Sequence, residues 1–232
     1  MTVSTAVPVD LLREGFKALT AKRRSIRAFL PQEIDQETLE SIFVSANQAP
    51  SNANTQPWHA FIASGDLRDQ ISRRLIDTIG QGNNVLDFPY DYKYVEEYRR
   101  RQLDVGILLY KALGVTREDT EGKKRAWLRN LELFDAPHVA FLFMSDWGGL
   151  REAADVGMYA QNLMLSIEAH GAASCPQTIL GYNSEVVREA FNIGPEYKLL
   201  FGISFGYADM LRPENRIVPD RARLEENTHF HR

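Results

Sequence analysis

Two short apolar runs, Val139 to Met144 and Leu199 to Tyr207, constrain the fold of this chain most. Both are bounded by turn or helix signals and read as buried strands. Around them, helical spacing recurs in segments of unequal length. Leu11, Leu12, Phe16 and Leu19 give an apolar stripe to a helix running from an Asp10 cap to about Thr20. Asp35 is the expected cap of a second helix carrying Leu39, Ile42, Phe43 and Ala46, which Pro50 stops. Leu67 to Ile79, Leu150 to His170 and Ser184 to Phe191 read as helices, and Trp58 to Ala63 as another strand. Strands separated by such helices, with no regular βαβ rhythm, argue against a doubly wound sheet and for an α+β sandwich.

With 232 residues, 44% of them hydrophobic, one domain spanning 1–232 can bury a sizeable core. Two stretches stand out from it. Residues 85–136 form an excursion with tyrosines at 90, 92, 94, 98 and 110 and two helices interrupted near Gly114, and the chain from about 208 reads as an extended arm. The balance of 27 basic and 31 acidic residues, net −4, offers no global field for nucleic acid or an anionic membrane, so neither is an expected partner. Cys175, the single cysteine, excludes an intrachain disulfide and a Cys-rich zinc site and fits a reducing compartment. Met1 to Val9 hold neither a basic patch before an apolar run nor a membrane anchor, so the cytoplasm is expected.

The chemistry concentrates in two segments. From Gly15 to Gln32 there are five basic residues and no acidic one, centred on Lys22-Arg23-Arg24-Ser25-Ile26-Arg27. In an extended chain, Arg23, Ser25 and Arg27 share one face, with Arg24 and Ile26 on the other. Two guanidiniums and a hydroxyl that converge suit a phosphate monoester. The second segment, Ala49-Pro50-Ser51-Asn52-Ala53-Asn54-Thr55-Gln56-Pro57-Trp58, lies between a helix end and a strand start. Its amides can both donate and accept, which suits polyol hydroxyls and the alternating edge of a flavin pyrimidine.

Taken together, the segments resemble the FMN-dependent nitroreductase family, whose signature pairs a basic-x-Ser-x-basic stretch with Pro-Ser-x-x-Asn-x-Gln-Pro-Trp. Both are present without gaps, as Arg23 to Arg27 and as Pro50 to Trp58. Phe134-Asp135-Ala136-Pro137, Gly171-Ala172-Ala173-Ser174-Cys175 and Gly202-Ile203-Ser204-Phe205-Gly206-Tyr207 extend the resemblance over roughly residues 12–228. It implies a three-layer sandwich with a mainly antiparallel sheet flanked by helices, in an intertwined homodimer. It also implies that Arg23 and Ser25 meet the FMN phosphate and Arg27 the pyrimidine, with Arg24 also in the cofactor-binding segment and Pro50, Ser51, Asn52 and Asn54 reaching the flavin from the other protomer. Pro176, Gln177 and Thr178 should lie beside the isoalloxazine, and Arg216 or, by preference, Arg221 should complete the phosphate site. NAD(P)H is the implied co-substrate in a ping-pong exchange, with a nitroaromatic or quinone as acceptor. A guanidinium at Arg27 would favour the negative charge of a reduced flavin. Phe88, Tyr90, Tyr92, Tyr94 and Trp127 are the candidates to stack a flat acceptor.

Rival readings remain at this point. Gly202-Ile203-Ser204-Phe205-Gly206 satisfies the G-x-S-x-G elbow of α/β-hydrolases, with Asp209, Asp220, His229 and His231 after it, although little chain follows to carry an acid and a base. His229-x-His231 lacks the framework of a metal site, and no metal is expected. A flavin-holding sensor would share the first segment, and some members of the resembled family dehalogenate aromatics or destroy their flavin.

Overall fold

The computed structural model describes residues 7–91 and 93–232. At its centre β2 (His138–Ser145) pairs on one side with β1 (Trp58–Ser64) and on the other with β4 (Tyr197–Gly206). β4 in turn pairs with β3 (Ala173–Gln177), giving the order β1-β2-β4-β3 with every pairing antiparallel. β2 is apolar throughout because protein covers both of its faces. Ala140, Leu142 and Met144 meet Ile42 and Ala46 of α2 (Gln36–Ala46) and Val156, Tyr159, Leu163 and Ile167 of α6 (Leu150–Ala169). Val139, Phe141 and Phe143 meet Ile71 and Leu75 of α3 (Gly65–Ile79) and Val186 and Val187 of α7 (Ser184–Phe191). The two-residue period of the strand therefore feeds two cores, and helices, sheet and helices make the α+β sandwich. Each fully buried Leu or Phe in these layers contributes about 1.5–3 kcal/mol. The register slips between Leu142 and Phe143, so Leu199 faces one core while Ile203 and Phe205 face the other.

Several elements depart from the sequence expectation for identifiable reasons. Helix α1 (Val9–Lys22) begins after Pro8 with no side-chain cap, and Asp10 lies inside its first turn, paired with Arg13 at 2.9 Å. Its stripe is not core: Val9, Leu11, Leu12 and Phe16 are between 57 and 68% exposed in the single chain. α2 begins as expected, with Asp35 accepting from the Thr38 N–H at 2.9 Å. Strand β3 was not anticipated, because its small residues and Pro176 carry little strand signal. Proline is tolerated there because β3 is an edge strand.

The excursion contains α4 (Glu96–Ala112) and α5 (Thr120–Leu128). Its root is fixed by Asp87, whose buried carboxylate accepts from Arg188 at 2.6 Å and from the Leu199 N–H at 2.8 Å. The tail does not leave the domain at 208. Ala208 bridges Phe29, and Asn215, 1% exposed, is buried within the turn Pro213–Arg216. Beyond it, α8 (Leu224–Asn227) touches α4 through Glu226 and Arg101 at 3.1 Å. No helix among the described residues is long and apolar enough to cross a membrane.

Candidate functional site

The basic segment is extended because α1 ends at Lys22 and the chain then runs beside the edge strand β3. Ser25 bridges Ser174 in parallel, and the Ile26 N–H donates to the Ser174 carbonyl at 3.0 Å. Alternation then sorts the side chains. Lys22, Arg24 and Ile26 line one depression, whereas Arg27 lines a different cavity. Arg23, Ser25 and Arg27 all act on the Cys175 thiol. Burial pushes that thiol up to about 11 against the pull of Arg27, the Ser25 hydroxyl and Arg23, so it is a packed thiol and no nucleophile at neutral pH.

None of Arg23, Arg24 and Arg27 has a carboxylate within 4 Å among the described residues. The nearby acid Glu168 is instead paired with Lys22 at 2.8 Å. Uncompensated guanidiniums crowded onto one segment suit an anion. The segment is also held from behind by the tail. Asn215 accepts from the Arg27 N–H at 2.6 Å, and its amide donates to the carbonyls of Ala28 at 2.7 Å and Asp209 at 2.8 Å.

The amide loop is a strained turn. Ala53, Asn54 and Gln56 have φ of 49, 57 and 47°, the left-handed region in which a side chain without local hydrogen bonds is disfavoured. The turn is held by local bonds. The Ser51 hydroxyl accepts from the Gln56 N–H at 2.9 Å, and Asp155, 5% exposed on α6, accepts from the Asn52 N–H at 3.0 Å. As a result Pro50, Asn52 and Asn54 are exposed, with Ser51 half-buried.

At the end of β3, Pro176 and Thr178 are exposed, but the Gln177 side chain is buried. Its amide donates to the Asn130 carbonyl at 2.8 Å and accepts from the Ser204 hydroxyl at 2.5 Å, so it offers a ligand no side-chain group. Ser204 is thereby accounted for. It is 0% exposed in the middle of β4, and a Cβ at Gly202 or Gly206 would come within 2.6 Å of Leu180 or Pro137. Both glycines of the G-x-S-x-G pattern serve close packing, and there is no nucleophile elbow. Among the described residues there is also no group of side chains that could hold a metal.

The two C-terminal arginines lie apart. Arg216 donates to the carbonyls of Met210 and Leu211, and the Met210 sulfur accepts from Arg24 at 3.9 Å. Arg221 donates to the Pro219 carbonyl at 2.9 Å and lines a surface depression with Arg100 and Arg101 of α4. Within the single chain, Arg216 is the nearer to the basic segment.

The aromatic candidates are not brought to one place. Phe88 packs on the α2–α6 core, while Tyr90 lies 5.5 Å from Tyr182 and shares a depression with Tyr94, Lys93 and Arg99. Trp127 is 40% exposed on α5 and lines neither this depression nor the Arg27 cavity, and Tyr92 lies outside the described residues.

The Arg27 cavity, about 420 Å3, is where the excursion meets the core, and most of its wall was missed in the sequence. Leu109, Leu113, Val115, Ala126 and Phe134 give it apolar surface, with Arg125, Arg129 and Arg212 around them. Asp135 and Glu132 hold Arg129 firmly charged, at 2.7 and 2.8 Å. The available signal was the four-residue spacing of Arg125 and Arg129, which puts both on one face of a helix.

The model of the nitroreductase family matches residues 20–207. The chain is 40% identical over 232 residues to the nitroreductase NfnB of Mycolicibacterium smegmatis, covering 100% of this chain and 98% of that protein. It is 30% identical over 224 residues to a 4-nitrobenzoate reductase of Pseudomonas putida, covering 95% and 97%. Among solved structures, FMN-dependent NfnB from Mycobacterium smegmatis in complex with NADPH superposes with a TM-score of 0.91 at 40% identity, covering 95% of this chain and 100% of that one. An FMN- and NADPH-dependent NfnB from Sphigopyxis sp. strain HMH gives 0.89 at 32% identity, covering 93% and 98%. A family match over most of the chain, and a relative this similar over all of it, establish that the chain belongs to the nitroreductase family.

Proposed function

We infer that the protein is an FMN-dependent oxidoreductase that draws reducing equivalents from NAD(P)H and passes them to a nitroaromatic acceptor, with quinones as a second class. The observation that carries this is the pair of guanidiniums at Arg23 and Arg27, without a carboxylate partner among the described residues, beside Ser25 on one face of the extended segment, with Arg27 lining the cavity and Arg24 turned to the depression on the other side. That donor set fits a flavin mononucleotide, which joins a dianionic phosphate to a flat ring with an electron-rich edge. The names of the relatives, FMN- and NADPH-dependent nitroreductases, support the same reading.

When bound, FMN supplies the centre that accepts hydride from the nicotinamide and gives electrons to the acceptor. The protein's part is to bind, orient and exclude water. Arg23 and Ser25 would hold the phosphate, with Arg216 or Arg221 closing over it, while Arg24 lies in the depression on the opposite face of the segment. Arg27, its backbone fixed by Asn215, keeps a positive charge beside the pyrimidine edge, where negative charge develops on reduction. Pro50, Ser51, Asn52 and Asn54 contact the cofactor from the second protomer. Pro176, Thr178 and the Gln177 backbone would lie along the ring; of the aromatic candidates, Tyr90 and Tyr94 share one depression apart from the Arg27 cavity, and Phe88 is packed on the α2–α6 core. A homodimer also supplies a cover for the exposed stripe of α1, and the tail after Arg216, with Val218, Leu224 and Phe230 between 61 and 79% exposed, is its embracing arm. The cytoplasm, where thiols such as Cys175 stay reduced, is its place of action.

The purified protein should carry the absorption of an oxidised flavin, lose it on anaerobic addition of NADPH or NADH, and regain it with nitrobenzene. A yellow protein that neither nucleotide bleaches would sink the enzymatic reading and leave a flavin-holding sensor.

A further inference from the structure

The cavity where α4 and α5 meet the core is ringed by four guanidiniums whose partners differ. Arg129 is held by Glu132 and Asp135, and Arg212 by the buried Glu214 at 3.0 Å. Arg27, on the reading above, serves the pyrimidine edge of the cofactor. Arg125 is the one of the four whose guanidinium has neither an ion pair nor a hydrogen bond among the described residues; that of Arg27 donates to the Ser25 carbonyl at 3.3 Å. It is Arg125 that stands one turn before Arg129, the residue that caps α5, and is exposed at the mouth of a pocket whose walls include Leu109, Leu113 and Phe134.

We propose that this cavity is the acceptor pocket and that Arg125 selects acceptors in which the aromatic ring carries an anionic group, a carboxylate above all. The proposal rests on the function inferred above and adds the class of acceptor. A cavity of about 420 Å3 with Leu109, Leu113 and Phe134 in its walls has room for a single substituted ring. A guanidinium waiting at its mouth stays hydrated while empty and forms a planar two-bond pair when a carboxylate arrives. Anchoring the acid at the mouth points the opposite end of the ring inward, toward Arg27 and the cofactor edge it serves. An anionic group on the nucleotide, the 2′-phosphate of NADPH, shares this chemistry, so the test separates the two.

The holoenzyme and its Arg125→Gln and Arg125→Lys variants are compared on 4-nitrobenzoate and on 4-nitrobenzamide, an uncharged compound of nearly the same shape. KM for NADPH and NADH and the bound flavin are measured alongside. Arg125→Gln is expected to lower kcat/KM for 4-nitrobenzoate about tenfold, through KM, as fits the loss of one charge-assisted pair at an exposed site. Activity on 4-nitrobenzamide should stay within about twofold, and Arg125→Lys should recover part of the loss. Equal effects on both compounds, no effect on either, a loss of bound flavin, or a rise in KM for NADPH without one for NADH would each overturn the assignment. If the unaltered enzyme reduces neither compound with either nucleotide, the nitroreductase reading itself has failed; if it reduces both and Arg125 is indifferent, only the carboxylate preference has.

Discussion

Replacing Asp155 with alanine should weaken FMN binding although Asp155 lies on α6, behind the loop expected to touch the flavin. Its carboxylate accepts from the Asn52 N–H at 3.0 Å, and the next residue, Ala53, sits at φ 49°, ψ 25°. A left-handed alanine costs about 1–2 kcal/mol, and a hydrogen bond to a charged acceptor returns about 1.5–3 kcal/mol. With the bond the turn is favoured, and without it Ala53 and Asn54, the left-handed residues next to Asn52, relax toward ordinary backbone. A loss of about 2 kcal/mol shifts the turn's population by roughly thirtyfold, and the apparent Kd rises in proportion to the competent fraction lost. Fluorescence titration of the apoprotein with FMN should therefore show Kd raised about 10- to 30-fold in Asp155→Ala. Asp155→Asn, which keeps an acceptor but no charge, should fall between. The melting temperature of the apoprotein separates this from general unfolding, because Asn52 is exposed and water can replace the lost partner. A Kd within twofold of the parent, in a variant that still folds, would refute the argument that Asp155 positions the loop.

Other outcomes follow from the same geometry. Arg23→Ala should chiefly empty the flavin site, raising Kd for FMN by about 10- to 100-fold for a lost charge-assisted bond, whereas Arg27→Ala should slow reduction by NAD(P)H more than it lowers flavin content; small, equal effects of both in flavin-content and stopped-flow assays would contradict the roles given to them. Asp87→Ala strands Arg188, 12% exposed, and the Leu199 N–H, and should cost about 3–5 kcal/mol, read as a lowered urea midpoint. His138 is buried, with Nε2 accepting from the Ile34 N–H and Nδ1 donating to Ser64, and burial lowers its pKa below the ordinary 6.5. Its contribution to stability is therefore full above pH 6.5 and is lost as pH falls through the lower folded value, so His138→Gln should flatten the decline of the urea midpoint below pH 6.5. Ser204→Ala should leave turnover within about twofold, and a fluorophosphonate serine probe should label neither protein.

The parts of the fold that were legible in the sequence are those in which local pattern and tertiary environment agree. β2 is apolar because two cores meet on it, and α7, Ser184–Phe191, was readable to the residue because Asn183 caps it and its apolar face is buried. Where the environment lies outside the local pattern, the reading slipped. The stripe of α1 has the period of a core helix yet meets no core in its own chain. Periodicity reports that a face needs covering and is silent about which chain covers it. β3 was hidden by Pro176, and with it the commitment of the Gln177 side chain to Ser204 and Asn130. The two motifs were visible because their residues are contiguous. The supports behind them, Asp155 and Asn215, and the cavity wall at Arg125 and Arg129, come from distant segments whose meeting is a product of the fold.

Asn215 ties two moments in the life of the chain together. It grips the backbone of Arg27 and Ala28 across a separation of 188 residues, so the basic segment cannot be locked in place until nearly the whole chain has been synthesised. Contacts of such long range are among the last to form, because closing the intervening loop has an entropic cost that nothing local offsets. A chain that ends before Asn215 lacks the grip on Arg27 and Ala28, so the backbone of the basic segment depends on residues made among the last.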